Sequence, residues 1–534
     1  MLLSVVLVMG MIVGMRIGGS NAATSVVHSR DALVNYGNGR VEELIRYIEA
    51  KYVDEVNEDA LIDEAIREVL EQLDPHSNYL SKEQVREVSE QLGGNFEGIG
   101  VEFMMLDDTI VVIAPLAGGP SDVAGILAGD RIVAIGDSTI AGVQKSSDEI
   151  TSQLKGKKGT QVRVGVVRPG EPELLYFDIT RDEIPVFSVD ASYMIAPKTG
   201  FIRVNRFSAK TYEEFMRAVE TLVEEEQMED LIIDLRQNPG GYLREATDML
   251  SQLFKAKGML LVYTEGRTVK RQEYKSTGRP FFDIQKLVVL IDEGSASASE
   301  ILAGAIQDHD RGSLVGRRSF GKGLVQEQYP LSDGSAVRLT VARYYTPSGR
   351  LIQKDYEDKE AYQRDVQHRF ETGELLSRDS IHQNDSTVFY TDAGRIVYGG
   401  GGITPDIFVP LDTSYLNGTF LLVRSYIPQY VLKNLQRIKR EVGTTELDAF
   451  IQDYEPSRNL YNGLLTFVEE KDSVSLNQKD LQWTEEHLVH NLKARIGKHL
   501  FDDNAFYQIL NEKDTDVLKG LEVIRSSNPL TIRE

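Results

Sequence analysis

Leu287-Val288-Val289-Leu290-Ile291, a turn at Asp292-Glu293-Gly294, and then Ser295-Ala296-Ser297-Ala298-Ser299-Glu300-Ile301-Leu302-Ala303-Gly304-Ala305-Ile306-Gln307-Asp308 form the stretch whose reading decides the fold. The first five residues are apolar and bounded by turn residues, which predicts a short buried strand. The run after the turn predicts a helix. Leu314-Val315-Gly316 predicts a further strand, and Ser319-Phe320-Gly321-Lys322-Gly323 a basic loop leading into Leu324-Val325-Gln326. Ser297 then falls at a helix N-terminus, where unpaired backbone N–H groups point outward and can hold an oxyanion. Ser297-x-x-Glu300 also has the spacing of a capping box, and a lone loop lysine is ordinarily solvated. The chemistry rests on the combination of these residues with a second loop at 234–241.

Upstream, Leu231-Ile232-Ile233-Asp234-Leu235-Arg236 predicts a buried strand ending in Gln237-Asn238-Pro239-Gly240-Gly241, before a helix over 243–253. A strand at 200–204 and a helix over 211–226, with Tyr212, Phe215, Met216, Val219 and Leu222 on one face, precede it. Strand–helix alternation of this kind predicts βαβ units with their loops gathered at one sheet edge. Downstream come Ala336 to Tyr345, Thr346-Pro347-Ser348-Gly349 and Leu351-Ile352-Gln353. The polar segment 355–395 reads as a surface excursion before the chain returns to the core at Arg395-Ile396-Val397-Tyr398.

Residues 93–183 differ in character. Gly98-Ile99-Gly100-Val101 is followed by alternating strands such as 109–113 and by Ala124-Gly125-Ile126-Leu127-Ala128-Gly129-Asp130-Arg131-Ile132. A helix near 146–154 and strands at 161–167 and 174–180 complete a segment that resembles a PDZ domain. Consecutive glycine-rich N–H groups can converge on a carboxylate beside a sheet edge that pairs with a peptide. Residues 40–91 show helical stripes (Val41, Leu44, Ile45, Ile48, Tyr52; then Leu61, Ile62, Ala65, Ile66, Val69, Leu70), stopped at Pro75. Residues 411–534 read as helices at 418–440, 444–453, 459–470, 483–497 and 503–524. They are expected to serve packing, homo-oligomerisation or adaptor docking.

Composition limits the function further. The 534 residues exceed one core and predict several domains. A net charge of -23 argues against a nucleic-acid partner, which needs a basic face. With no cysteine, a thiol nucleophile, disulfides and Cys-based metal sites are excluded. The eight histidines show no metal-ligand spacing, so no metal is expected. Leu2 to Met15 is almost wholly apolar. At about fourteen residues it is short of the roughly twenty that span a bilayer, and it reads as a signal peptide or membrane anchor over 1–23. No basic stretch precedes it, which points to a start further upstream. An exported protein is expected, periplasmic or in the cell envelope, and anchored in the inner membrane if the segment is retained.

Together, Gly98–Val101, the 234–241 loop, Gly294 to Glu300, Gln307-Asp308 and Phe320-Gly321-Lys322-Gly323 resemble the C-terminal processing (tail-specific) serine peptidases, over roughly residues 40–410. The resemblance implies a multidomain α+β protein: a helical segment at 30–92, a β-rich PDZ domain at 93–183, an α/β peptidase core of the ClpP/crotonase type at 184–410 and a helical domain at 411–534. It implies a Ser/Lys dyad, with Ser297 as nucleophile, Lys322 as general base and Gln326 orienting the lysine. The oxyanion donors would be the N–H groups of Ala298 and of Gly240 or Gly241. Gly98, Ile99, Gly100 and Val101 would bind the peptide carboxylate. Asp308 matches a position given a supporting role. No cofactor is implied, and the partners would be proteins or peptides with apolar C-termini.

Such a dyad needs a neutral lysine, whereas a free one has a pKa of ~10.4. Burial lowers it, so Lys322 is expected among apolar neighbours such as Phe320, Leu324 and Val325. The alternatives are a tail-binding scaffold with an inactive peptidase core, and an esterase on the same core. Two other readings fare worse. Gly316 to Gly323 nearly spells a P-loop, but Gly323 stands where Ser or Thr would hold Mg²⁺ and a strand-like run follows. His309 lies on the helix of Ser297, out of its reach.

Overall fold

The computed structural model describes residues 39–381 and 388–526. The apolar segment expected at 1–23 lies outside the described residues. Among the described residues, those up to Leu73 form one compact unit and those from Asp74 a second. In the first, helices Arg40–Lys51 and Glu58–Glu71 are amphipathic, and the Asn57 side chain caps the second by accepting from Ala60 N.

The second unit is built on a six-stranded sheet. In spatial order its strands are Val189–Ala196, Thr199–Val204, Asp230–Asp234, Leu287–Ile291, Ser313–Gly316 and Ile407–Phe408. All neighbours after the first antiparallel pair run parallel. Leu287–Ile291 is buried at every position, as a strand covered on both faces must be. Helices Thr211–Glu224, Leu243–Leu253 and Ala298–Asp308 pack on one face. The other face is covered from far downstream, by Val517, Leu521, Val523 and Ile524 on Ile232, Val288, Leu290 and Val315.

A second sheet holds the hairpin Leu324–Pro330 and Ala336–Tyr345, with Leu260–Glu265 and Gln272–Lys275. Its remaining strand departs from expectation. Residues 74–92 were expected to belong to a helical segment, but Asn78–Leu80 pairs antiparallel with Ala336–Arg338. Asp74 is the cause. Its carboxylate accepts from His76 N, Ser77 N and Ser77 Oγ, and from Thr340 Oγ1 at 3.1 Å, which turns the chain onto the sheet. The segment 355–395 is likewise more than a surface excursion. Helix Asp365–Glu371 buries Arg369 against Glu374, and Tyr362 reaches His76.

The PDZ segment is a sheet ordered Val101–Leu106, Thr109–Pro115, Arg131–Ile135, Gln161–Val167, Leu175–Thr180, with helix Ser147–Leu154. Val101–Leu106 is an edge strand. Its outward Leu106 packs with Val111 against Leu432 and Leu435 of the helical segment, and Asp107 pairs with Lys471. The helical segment forms its own core from Phe420 to Ile509. The single helix expected over 503–524 is two, Asp503–Asn511 and Thr515–Arg525, broken where Asp514 caps the second by accepting from Val517 N.

Candidate active site

The parallel strands Asp230–Asp234, Leu287–Ile291 and Ser313–Gly316 deliver three loops to one sheet edge, where open α/β sheets place their sites. Ser297, Lys322, Gln326, Gly240 and Gly241 all line one cavity of about 880 Å³ there. Ser297 precedes helix Ala298–Asp308 and has φ 55° and ψ -112°. Such backbone costs a non-glycine residue on the order of 1–3 kcal/mol and clusters at functional sites. Gly240 explains how the loops meet. A Cβ there would lie 2.7 Å from Ser297 Cβ and 2.8 Å from Ala298 N, so only glycine permits the approach.

The backbones of Ser297 and Lys322 are tied together twice. The Glu300 carboxylate accepts from Ser297 N and Lys322 N, each at 2.8 Å, and also from Gly321 N and Ser319 Oγ. The Tyr344 hydroxyl sits between the carbonyls of Ser297, at 3.0 Å, and Lys322, its one proton shared between them. The Ser-x-x-Glu spacing is therefore a helix cap and a loop clasp at once. Burial pushes the Glu300 carboxyl up to about 7, against the pull of its four donors. Glu300→Gln would turn an amide N–H toward a ring of donors, leaving buried groups unpaired at about 1–3 kcal/mol. We expect a lower thermal midpoint together with at least tenfold slower cleavage, measured on the same sample.

Lys322 Nζ donates to Gln326 Oε1 at 3.2 Å, and Gln326 Nε2 donates to the His76 carbonyl at 2.9 Å. The second bond turns the amide oxygen toward the lysine. Burial lowers the Lys322 pKa most, and the Arg338 cation lining the same cavity adds to it. Glu300 and Asp74 pull the other way. The expected apolar enclosure is thus only part of the cause. Leu324 is buried, but the Phe320 ring lies against Tyr362 and the Lys354 amine. Sequence reasoning missed His76, whose carbonyl seats Gln326 and whose ring meets the Tyr362 hydroxyl at 2.6 Å. Its one signal was a polar turn, Asp74-Pro75-His76-Ser77, that read as a helix stop.

The two glycines expected as oxyanion donors are not equivalent. Gly240 N donates to Asn238 Oδ1 at 2.9 Å, so that N–H is already taken. Among the described residues, the N–H groups of Gly241 and Ala298 have no protein acceptor. Gln307 and Asp308 hold Arg350 at 2.7 and 2.6 Å, a structural contact. His309 meets Asp392 and the Leu260 carbonyl instead of Ser297. The P-loop reading fails locally. Gly321, Lys322 and Gly323 donate their N–H groups to Glu300 and Gln353, and a strand follows. In the PDZ segment, the Ile99 and Gly100 carbonyls accept from Ser121 and Leu116, fixing the turn of Gly98–Val101.

Fold and site define a serine-type peptidase that carries a PDZ domain. The family model of peptidase family S41 matches residues 198–361, that of the PDZ domain residues 98–179, and that of a family of unknown function residues 419–502. The carboxy-terminal processing protease CtpB of Bacillus subtilis (strain 168) is 35% identical over 338 residues, 62% of this chain and 69% of the relative. The carboxy-terminal-processing protease of Bartonella bacilliformis is 34% identical over 342 residues, 62% of this chain and 77% of the relative. Among solved structures, the photosystem II D1 C-terminal processing protease matches at 28% identity, covering 71% of this chain and 89% of that one with a TM-score of 0.35. The chain belongs to the carboxy-terminal processing proteases of family S41.

Proposed function

We propose that the protein is an exported endopeptidase that captures apolar C-terminal tails on its PDZ domain and cleaves with a Ser297–Lys322 dyad. The observation that carries this reading is the double tie between the two backbones, through Glu300 and Tyr344, beside an amine whose pKa is lowered. In the mechanism, neutral Lys322 takes the Ser297 proton as Oγ attacks the scissile carbonyl. The Ala298 N–H, at the positive end of its helix, and the Gly241 N–H receive the oxyanion. Lys322 then passes the proton to the leaving amine, and a water repeats the sequence on the acyl-enzyme. Gln326 accepts from the lysine without adding an anion that would restore its charge.

Tail capture is supported by the edge position of strand Val101–Leu106 in its sheet, with Val101, Phe103 and Met105 packed against the PDZ core. Export is supported by the apolar run Leu2 to Met15, acting as signal or anchor. Among the described residues, no helix is long and apolar enough to cross a membrane. The test is cleavage of an unfolded protein ending in Ala-Ala against the same protein ending in Asp-Asp. We expect about tenfold or greater preference for the apolar tail. Equal rates would remove tail capture, and binding without cleavage would favour a scaffold with an inactive core.

A further inference from the structure

Each of the three active-site loops contributes a charged residue to one ion-pair network. Arg236 enters the loop of Gly240 and Gly241. Glu293 sits in the turn before Ser297. Arg317 begins the loop of Lys322. Arg317 Nε donates to Glu293 at 2.9 Å, and Arg236 makes a two-point pair with Asp234 at 2.9 and 2.8 Å. What joins them comes from elsewhere. Asp516 accepts from Arg236 Nη1 at 3.0 Å and from Arg317 Nη1 at 3.3 Å, while Asp514 accepts from Arg236 Nη1 with both oxygens, at 2.8 and 2.9 Å. The Asp516 side chain is 6% exposed and those of Arg236 and Arg317 are 12% and 7%, so the centre of the network is shielded from water, while Asp514 is partly exposed.

The helix behind these carboxylates is itself fixed. Thr515–Arg525 lies on the face of the strands that bear the three loops, and Asp514 and Asp516 stand at its N-terminal turn, where negative charge is favoured. From Arg236 the arrangement continues into the site. Gln237 donates through N and Nε2 to Asp292, and Asn238 Oδ1 holds Gly240 N.

We propose that Asp516, assisted by Asp514, is a positioning residue of the active site, contributed by the helical extension to hold the oxyanion loop, the nucleophile turn and the lysine loop in register. The proposal rests on the dyad reading given above. It differs from a role in stability alone, because buried ion pairs are weak contributors to stability yet strict about geometry. A displacement of about 1 Å at a reacting group can cost on the order of 100-fold in rate.

The test uses the full chain in mild detergent, with a peptide substrate and active sites counted by the acyl-enzyme burst of an activated peptide ester. Asp516→Asn keeps size and one acceptor. We expect kcat per titrated site to fall about 10- to 100-fold, KM to stay within about threefold, and the pH profile to keep its midpoint. A purely structural role would lower the thermal midpoint and the titrated fraction but leave kcat per site unchanged, and that result overturns the proposal. If Asp516→Asn does not fold, Asp514→Asn and Arg317→Lys are judged by the same criterion. Ser297→Ala runs alongside. Should it keep the wild-type rate, the dyad reading fails. Should it be inactive while Asp516→Asn keeps its kcat per site, only the positioning role fails.

Discussion

Ser297→Ala is expected to lower peptide cleavage by about 10⁴-fold or more while leaving the fold intact. The first half follows from chemistry: without Oγ no acyl-enzyme forms, and only oxyanion and binding contributions remain. The second half follows from the structure. The contacts that hold residue 297 are made by its backbone, N–H to Glu300 and carbonyl to Tyr344, and alanine keeps both. Alanine also bears the same φ of 55° at a similar cost. Thermal denaturation and PDZ peptide binding should therefore match the wild type. Residual turnover above about one per cent, with contaminating peptidase excluded, would remove the nucleophile assignment.

Lys322→Met should be as damaging to activity and yet not to stability. The base must be neutral, so kcat/KM should rise with pH through the lowered Lys322 pKa and level off above it. The sign for stability follows from the same shift. Between the lowered folded pKa and the unfolded value of ~10.4, the unfolded chain binds more protons at this residue, so stability rises with pH across that window. At neutral pH the lysine is a net cost. Methionine keeps the apolar stem and removes the cost, so its thermal midpoint at pH 7 should equal or exceed that of the wild type. A clear loss of stability, or an unchanged pH profile with activity retained, would contradict the base assignment.

The parallel sheet and its three loops were legible because their signals are local. Leu287–Ile291 and Asp230–Asp234 are short apolar runs closed by turn residues, and helix Leu243–Leu253 lies where its pattern puts it. What sequence could not supply were partners set by tertiary contact. Glu300 read as a cap, because the spacing shows the bond to Ser297 and not those to Ser319, Gly321 and Lys322. Asn78–Leu80 is three residues long, too short for an alternating pattern, and its pairing with Ala336–Arg338 is a property of the sheet. The break between Asn511 and Thr515 was hidden inside continuous helical periodicity. Gly240 and Gly241 are alike in sequence, and the bond from Asn238 is what separates them.

The helix Thr515–Arg525 also has a consequence for how the chain is made. Arg236 and Asp514 are 278 residues apart, and the apolar face of the central sheet waits for Val517 and Leu521 to arrive. Ribosomes add on the order of 5–20 residues per second, so that face stays bare for tens of seconds after its strands emerge. The nascent chain then exposes the apolar face that Val517, Leu521, Val523 and Ile524 later cover. On the positioning role proposed for Asp516, folding that completes late would keep the peptidase silent during its own synthesis, and the bare face makes the unfinished chain a natural client for holding chaperones.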